Sequence, residues 1–136
     1  MIFDTKIAIL LRDDLAVWQK LNVTAFLMSG IVGGNPELIG EAYEDADGNR
    51  YNPLVIQPVI VLASDAAGPR KIYTRAMDRN ARLSLYTEDM FQTGHDAANR
   101  AAVKNVAASD LAIVGLALRD DKKTVDKITK GAKLHG

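Results

Sequence analysis

The chain has 136 residues, 48 % hydrophobic and 25 % charged, which suits one globular domain with a sizeable core. Its 17 basic and 17 acidic side chains cancel to a formal charge of zero, without the basic excess that phosphate contacts favour in nucleic-acid binders. No cysteine is present, which excludes disulfides, zinc–thiolate sites and cysteine nucleophiles.

The opening stretch Met1-Ile-Phe-Asp-Thr-Lys6 lacks the charged and apolar regions of a secretory signal, and no apolar run reaches membrane-spanning length. The expectation is a cytoplasmic protein without a membrane partner, a single α/β domain over residues 1–136. Residues 7–11, Ile-Ala-Ile-Leu-Leu, form a continuous apolar run, as in a strand buried on both faces. Asp13 or Asp14 is placed to cap the helix that follows. That helix carries Val17, Leu21, Ala25, Met28 and Val32 at helical spacing, and Gly30, Gly33 and Gly34 supply its stop. Residues 37–57 read as a hairpin-like excursion around the Asp-Gly turn in Asp45–Asn49.

A second strand is expected over 58–63, with Pro58 at its tolerated first position. A helix from about Pro69 to Asn80 turns Ile72, Ala76 and Met77 to the core, ringed by Arg70, Lys71, Arg75, Arg79 and Arg82. Strands over 83–87 and 112–118 flank a short helix from Gly94 to about Val106. A terminal helix spans Lys122 to about Lys130, with Val125 and Ile128 as its apolar positions. Alternating strands and helices predict an α/β fold, a three-layer α/β/α sandwich around a four-stranded, mostly parallel or mixed sheet.

In an open α/β sheet, ligands bind beyond the C-terminal ends of the strands. Lys20, a cation in the early turns of the first helix, opposes the helix dipole; it reads either as a surface lysine on the solvent face or as a residue that holds an anionic ligand jointly with the free backbone amides. Asp13 and Asp14 line the same turn. Glu88 and Asp89 end the third strand, with Thr93 close behind; a carboxylate there suits a general base, and equally a capping residue. His95 and Asp96 do not form a dyad, because adjacent helical residues face apart; His95 is read as a surface or capping residue. With only His95 and His135, no metal site is expected. Asp45–Asn49 lacks the later ligands of a calcium loop, the glycines after the first helix follow no strand, and Gly-x-Ser-x-Gly is absent.

The segments Arg12-Asp-Asp-Leu15 to Lys20-Leu-Asn-Val23, Val59-Ile-Val-Leu62 and Leu83-Ser-Leu-Tyr-Thr-Glu88 resemble, in order, the type II peptidyl-tRNA hydrolases. The whole chain is similar to an uncharacterised bacterial domain-of-unknown-function family, number two thousand, with that fold. The resemblance implies that the hydrolases' active-site lysine falls on Lys20, their strand-end aspartate on Glu88 or Asp89, and their following threonine on Thr93. It departs at Thr24-Ala-Phe-Leu-Met28, which is apolar, at Glu88–Thr93, which lacks the glycine and arginine of the hydrolases, and at an insertion of about residues 94–108.

Three functional expectations follow. In the first, Lys20 polarises an anionic or carbonyl group, Glu88 or Asp89 activates water, and Thr93 supplies a hydrogen bond, for hydrolysis of a small acyl ester or amide without a cofactor. In the second, the same crevice, with Asp13, Asp14 and Lys20, binds a small anion non-catalytically, or the apolar first helix mediates a homodimer. True peptidyl-tRNA hydrolysis ranks last, since zero net charge argues against a tRNA partner.

Overall fold

The structure is a computed structural model describing residues 3–136. Strand β1 (Thr5–Arg12) buries Ile7 to Leu11, as its unbroken apolar run requires. Helix α1 (Val17–Gly34) follows, then a 3-10 turn at Pro36–Leu38 and a hairpin of β2 (Tyr43–Glu44) and β3 (Arg50–Tyr51). Strand β4 (Val59–Ser64), helix α2 (Gly68–Asp78), strand β5 (Leu83–Thr87) and helix α3 (Asp96–Lys104) come next. The chain finishes with β6 (Ile113–Asp121), α4 (Lys122–Ile128) and β7 (Lys133–Leu134).

Five strands form one sheet in the order β5-β6-β1-β4-β7. Only β1 and β4 are parallel; the other three pairings are antiparallel. Of the expected four-stranded, mostly parallel or mixed sheet, the mixed alternative holds, and the strand count is corrected to five. The connection from β5 to β6 explains the change. Glu88 N donates to Ala112 O at 2.8 Å, so residues 88–112 stay at one end of the sheet and β6 must run back. Strand β7, two residues paired with Leu62 and Ala63, is too short to leave a sequence signal.

Alternation along the strands divides the core. Ile7, Ile9 and Leu11 cluster with Val23, Leu27 and Ile31 of α1. Ala8, Leu10, Leu116 and Leu118 cluster with Ile72 and Ala76 of α2 and with Val125 and Ile128 of α4. Ile72, Ala76, Val125 and Ile128 are buried as expected, but Met77 is 51 % exposed and Tyr73 takes its place.

The predicted core stripe of α1 is also corrected. Its buried positions are Val23, Leu27 and Ile31, whereas Val17 and Leu21 are 72 % and 67 % exposed. The helix is apolar almost all round, with Lys20 its single charged residue, so spacing alone does not choose a face. Neither Asp13 nor Asp14 caps it: the N-cap is Ala16, whose N–H donates to Gln19 Oε1 at 2.9 Å. Asp14 instead pairs with Arg12 at 2.5 Å.

The Asp-Gly turn forms as predicted. Gly48 has φ +86°, where a Cβ is disfavoured, and the Asp45 carboxylate accepts from the Tyr51 hydroxyl and the Asn49 side chain. The β2–β3 hairpin is a separate sheet with all four strand residues exposed. Among the described residues, no helix is long and apolar enough to cross a membrane.

Candidate functional site

The strand directions send β1, β4 and β5 out of the sheet at the same end. After β1 the chain turns to α1; after the neighbouring β4 it turns to α2, and these helices join different core clusters. Diverging connections from adjacent parallel strands leave a crevice between them, the switch point at which α/β sheets hold ligands. A cleft of about 390 Å³ opens beside it at the end of β4, walled by α2 and by residues 130–133 leading into β7, with Asp13 reaching it from the β1 side. Asp13 N donates to Ser64 O at 2.8 Å, which fastens the two strand exits together beside it. Gly68 opens α2 at its wall, where a Cβ would collide with the Ser64 side chain.

Four cations and two carboxylates line this cleft: Lys71, Arg75, Lys130, Lys133, Asp13 and Asp65. Arg75 Nη1 donates to Ile128 O at 3.2 Å and to Lys130 O at 2.6 Å, so it also holds the segment carrying Lys130 and Lys133 against α2. Asp65 is occupied locally: one carboxylate oxygen accepts from Ala67 N and Gly68 N, each at 3.1 Å. Among the described residues, none of the three lysines has a carboxylate within ion-pairing distance. The four cations outnumber the two carboxylates, and a bound anion relieves the repulsion that remains.

The residues expected at the site are distributed around this end of the sheet. Asp13 lines the cleft; Asp14 turns to Arg12. Lys20 is half-buried on α1, three residues before Val23 and seven before Leu27, so it continues the buried seam towards the strand exits. Glu88 and Asp89 are exposed in the 3-10 turn Glu88–Gln92 that follows β5, two strand spacings from β1, or about 10 Å. Thr93 lines a different cavity, with Trp18, Asn22 and His95, and its hydroxyl hydrogen-bonds to Met90 O at 3.0 Å and to Asn99. Lys20, Glu88 and Asp89 do not line that cavity. His95 caps α3, its Nδ1 accepting from Ala98 N at 3.2 Å.

Lys71, Arg75, Lys130 and Lys133 were not singled out by spacing as a site. Lys71 and Arg75 carry a partial signal, as cations four apart on one helix face. Nothing local links them to Lys130 and Lys133; only the pairing of β7 with β4 does. The Thr87 hydroxyl, 2 % exposed beside a β-bulge at the end of β5, has no hydrogen-bond partner. Among the described residues, no group of three or more His, Asp or Glu side chains is arranged to hold a metal ion.

Residues 5–136 match a family described as a protein of unknown function, DUF2000. No curated protein matches the chain. A solved structure, that of the protein of unknown function Atu0240 from Agrobacterium tumefaciens strain C58, is 61 % identical. The match covers 99 % of this chain and 100 % of that one, with a TM-score of 0.97. With a family match running from β1 to the last residue, the chain belongs to the DUF2000 family of proteins of unknown function.

Proposed function

We propose that this protein binds a small anion in the cleft at the end of β4, between α2 and the segment leading into β7. The observation that carries the reading is the set of three lysines that make no ion pair among the described residues, with Arg75, around a 390 Å³ cleft beyond the end of β4. The ligand class is a phosphate- or carboxylate-bearing small molecule, recognised mainly by charge. Titration calorimetry with inorganic phosphate tests it. Saturable binding that weakens with salt and is lost in the double variant Lys130→Gln/Lys133→Gln is expected. Folded wild type that binds no phosphate at low salt overturns it.

A second reading is ester or amide hydrolysis of a small acyl substrate, with Lys20 polarising the carbonyl, Glu88 or Asp89 activating water and Thr93 donating a hydrogen bond. It is favoured by the half-buried position of Lys20 at the strand exits. The type II peptidyl-tRNA hydrolase-like fold, with the two core clusters as the interfaces of a three-layer α/β/α sandwich, belongs to this reading. Hydrolysis of a model N-acyl-aminoacyl-tRNA by wild type and Lys20→Ala, at low and moderate salt, separates the readings. Turnover that disappears in the variant supports a hydrolase; none in the folded wild type removes tRNA as substrate.

The exposed apolar face of α1 supports a homodimer, because a charge-free stripe of Val17 and Leu21 can meet its own copy across a two-fold axis without repulsion. Sedimentation velocity is expected to show a dimer for wild type and a monomer for Leu21→Glu. A monomeric wild type at high concentration refutes the pairing.

A further inference from the structure

A second, independent cleft runs along β5, the edge strand of the sheet. A groove of about 580 Å³ lies between α1, β5 and α3, with Leu85 and Tyr86 of the strand beneath it. A cavity of about 300 Å³ adjoins it and shares Phe26, Tyr86 and Met90 with it. Four aromatic rings in a chain of contacts line the smaller cavity, and two of them, Phe26 and Tyr86, also line the groove. Trp18 meets Phe91 edge-on at 6.0 Å, Phe91 meets Tyr86 at 5.2 Å, and Tyr86 meets Phe26 at 5.9 Å. Half of the eight aromatic residues of the chain are thus in one place, and Trp18 and Phe26 remain 60 % and 51 % exposed.

The far wall is α3, from the insertion that departs from the peptidyl-tRNA hydrolase resemblance. No residue of α3 is fully buried; Val103 packs against the edge of the core, and the helix encloses this groove. Its charges are arranged unequally. Asp96 is neutralised by Arg100 one turn on, whereas Lys104, in the last turn, lines the groove with no ion-pair partner among the described residues. The groove therefore offers ring faces and apolar walls along its length, and one uncompensated positive charge. Its volume is that of a small-molecule site.

We propose that this cleft binds an aromatic or heteroaromatic small molecule carrying a single negative group, its rings among Phe26, Tyr86 and Leu85 and its charge at Lys104. The anilinonaphthalene sulfonate 1,8-ANS is a suitable probe, because Trp18, the only tryptophan, lines the adjoining cavity, within energy-transfer range of a ligand in the groove. Titration is expected to quench Trp18 saturably by energy transfer. The uncharged analogue N-phenyl-1-naphthylamine is expected to bind about fivefold or more weakly, and Lys104→Gln to abolish that difference.

A second variant, Ser29→Tyr, plugs the groove from α1. Ser29 is exposed and donates only to Phe26 O in its own helix, so the fold survives its replacement, which a circular-dichroism melt verifies. It is expected to raise the Kd for the sulfonate about tenfold or more. Binding that both variants leave unchanged, a Trp18 signal that never saturates, or loss of binding in Leu21→Glu on the outer face of α1 instead, overturns the proposal.

Discussion

Replacing Lys71 by glutamate reverses one charge at the wall of the cleft at the end of β4 and disturbs little else. Lys71 is exposed, it is the fourth residue of α2, and its ammonium makes no ion pair among the described residues. A carboxylate near a helix N-terminus is favoured by the dipole, so the variant keeps its stability. Two unit charges about 6 Å apart in water interact by roughly 0.7 kcal/mol. Reversing the charge against a doubly charged phosphate multiplies this about fourfold, to roughly 3 kcal/mol. At physiological ionic strength the screening length of about 8 Å leaves roughly half, close to 1.3 kcal/mol. The Kd for inorganic phosphate is therefore expected to rise about tenfold at that salt, and by a larger factor as salt is lowered. Titration calorimetry at pH 7.5 measures it, beside Lys123→Glu, which makes the same change in net charge outside the cleft. An unchanged Kd in Lys71→Glu, or an equal loss in Lys123→Glu, refutes local recognition at the cleft.

Three further outcomes test the fold around it. At Gly115, the third residue of β6, an added Cβ would stand 2.8 Å from Val23 Cγ1 and 3.1 Å from the Leu10 carbonyl oxygen. Because the sheet backbone cannot retreat, Gly115→Ala is expected to destabilise by about 1–3 kcal/mol, seen as a lower urea midpoint with unchanged slope; an unchanged midpoint contradicts it. The Tyr51 hydroxyl first, then the Asn49 side chain and backbone, hold the Asp45 carboxyl down to about 2 from 3.8. A lowered pKa stabilises the folded turn above the ordinary carboxylate range, and that contribution disappears as pH falls through about 2. The Asn49 amide shift is expected to titrate near pH 2, and a midpoint near 4 refutes the bonded turn. Shortening the chain by deleting Asp45–Asn49 is expected to leave both folding and phosphate binding intact, since the hairpin strands are exposed and line neither cleft. An unfolded deletion variant would make the hairpin part of the core.

Local chemistry made much of the architecture readable in advance. The runs at Ile7–Leu11 and Leu83–Thr87, Val125 and Ile128 on α4, and the Asp-Gly turn each depend on neighbours within one element, and each formed as expected. The buried side of α1 was not readable, because a helix apolar all round fits a sheet with either face; contact with β1, β5 and β6 selected Val23, Leu27 and Ile31. Strand direction was decided by the 88–112 connection closing on itself, a contact between Glu88 and Ala112 that no periodicity encodes. The candidate sites lie further still from local rules. The cleft at the end of β4 needs Lys71 and Arg75 beside Lys130 and Lys133, which the chain separates by more than fifty residues and the β4–β7 pairing rejoins. Side-chain periodicity reports which face of an element meets the core; which charges and rings then face one another is set by tertiary packing alone.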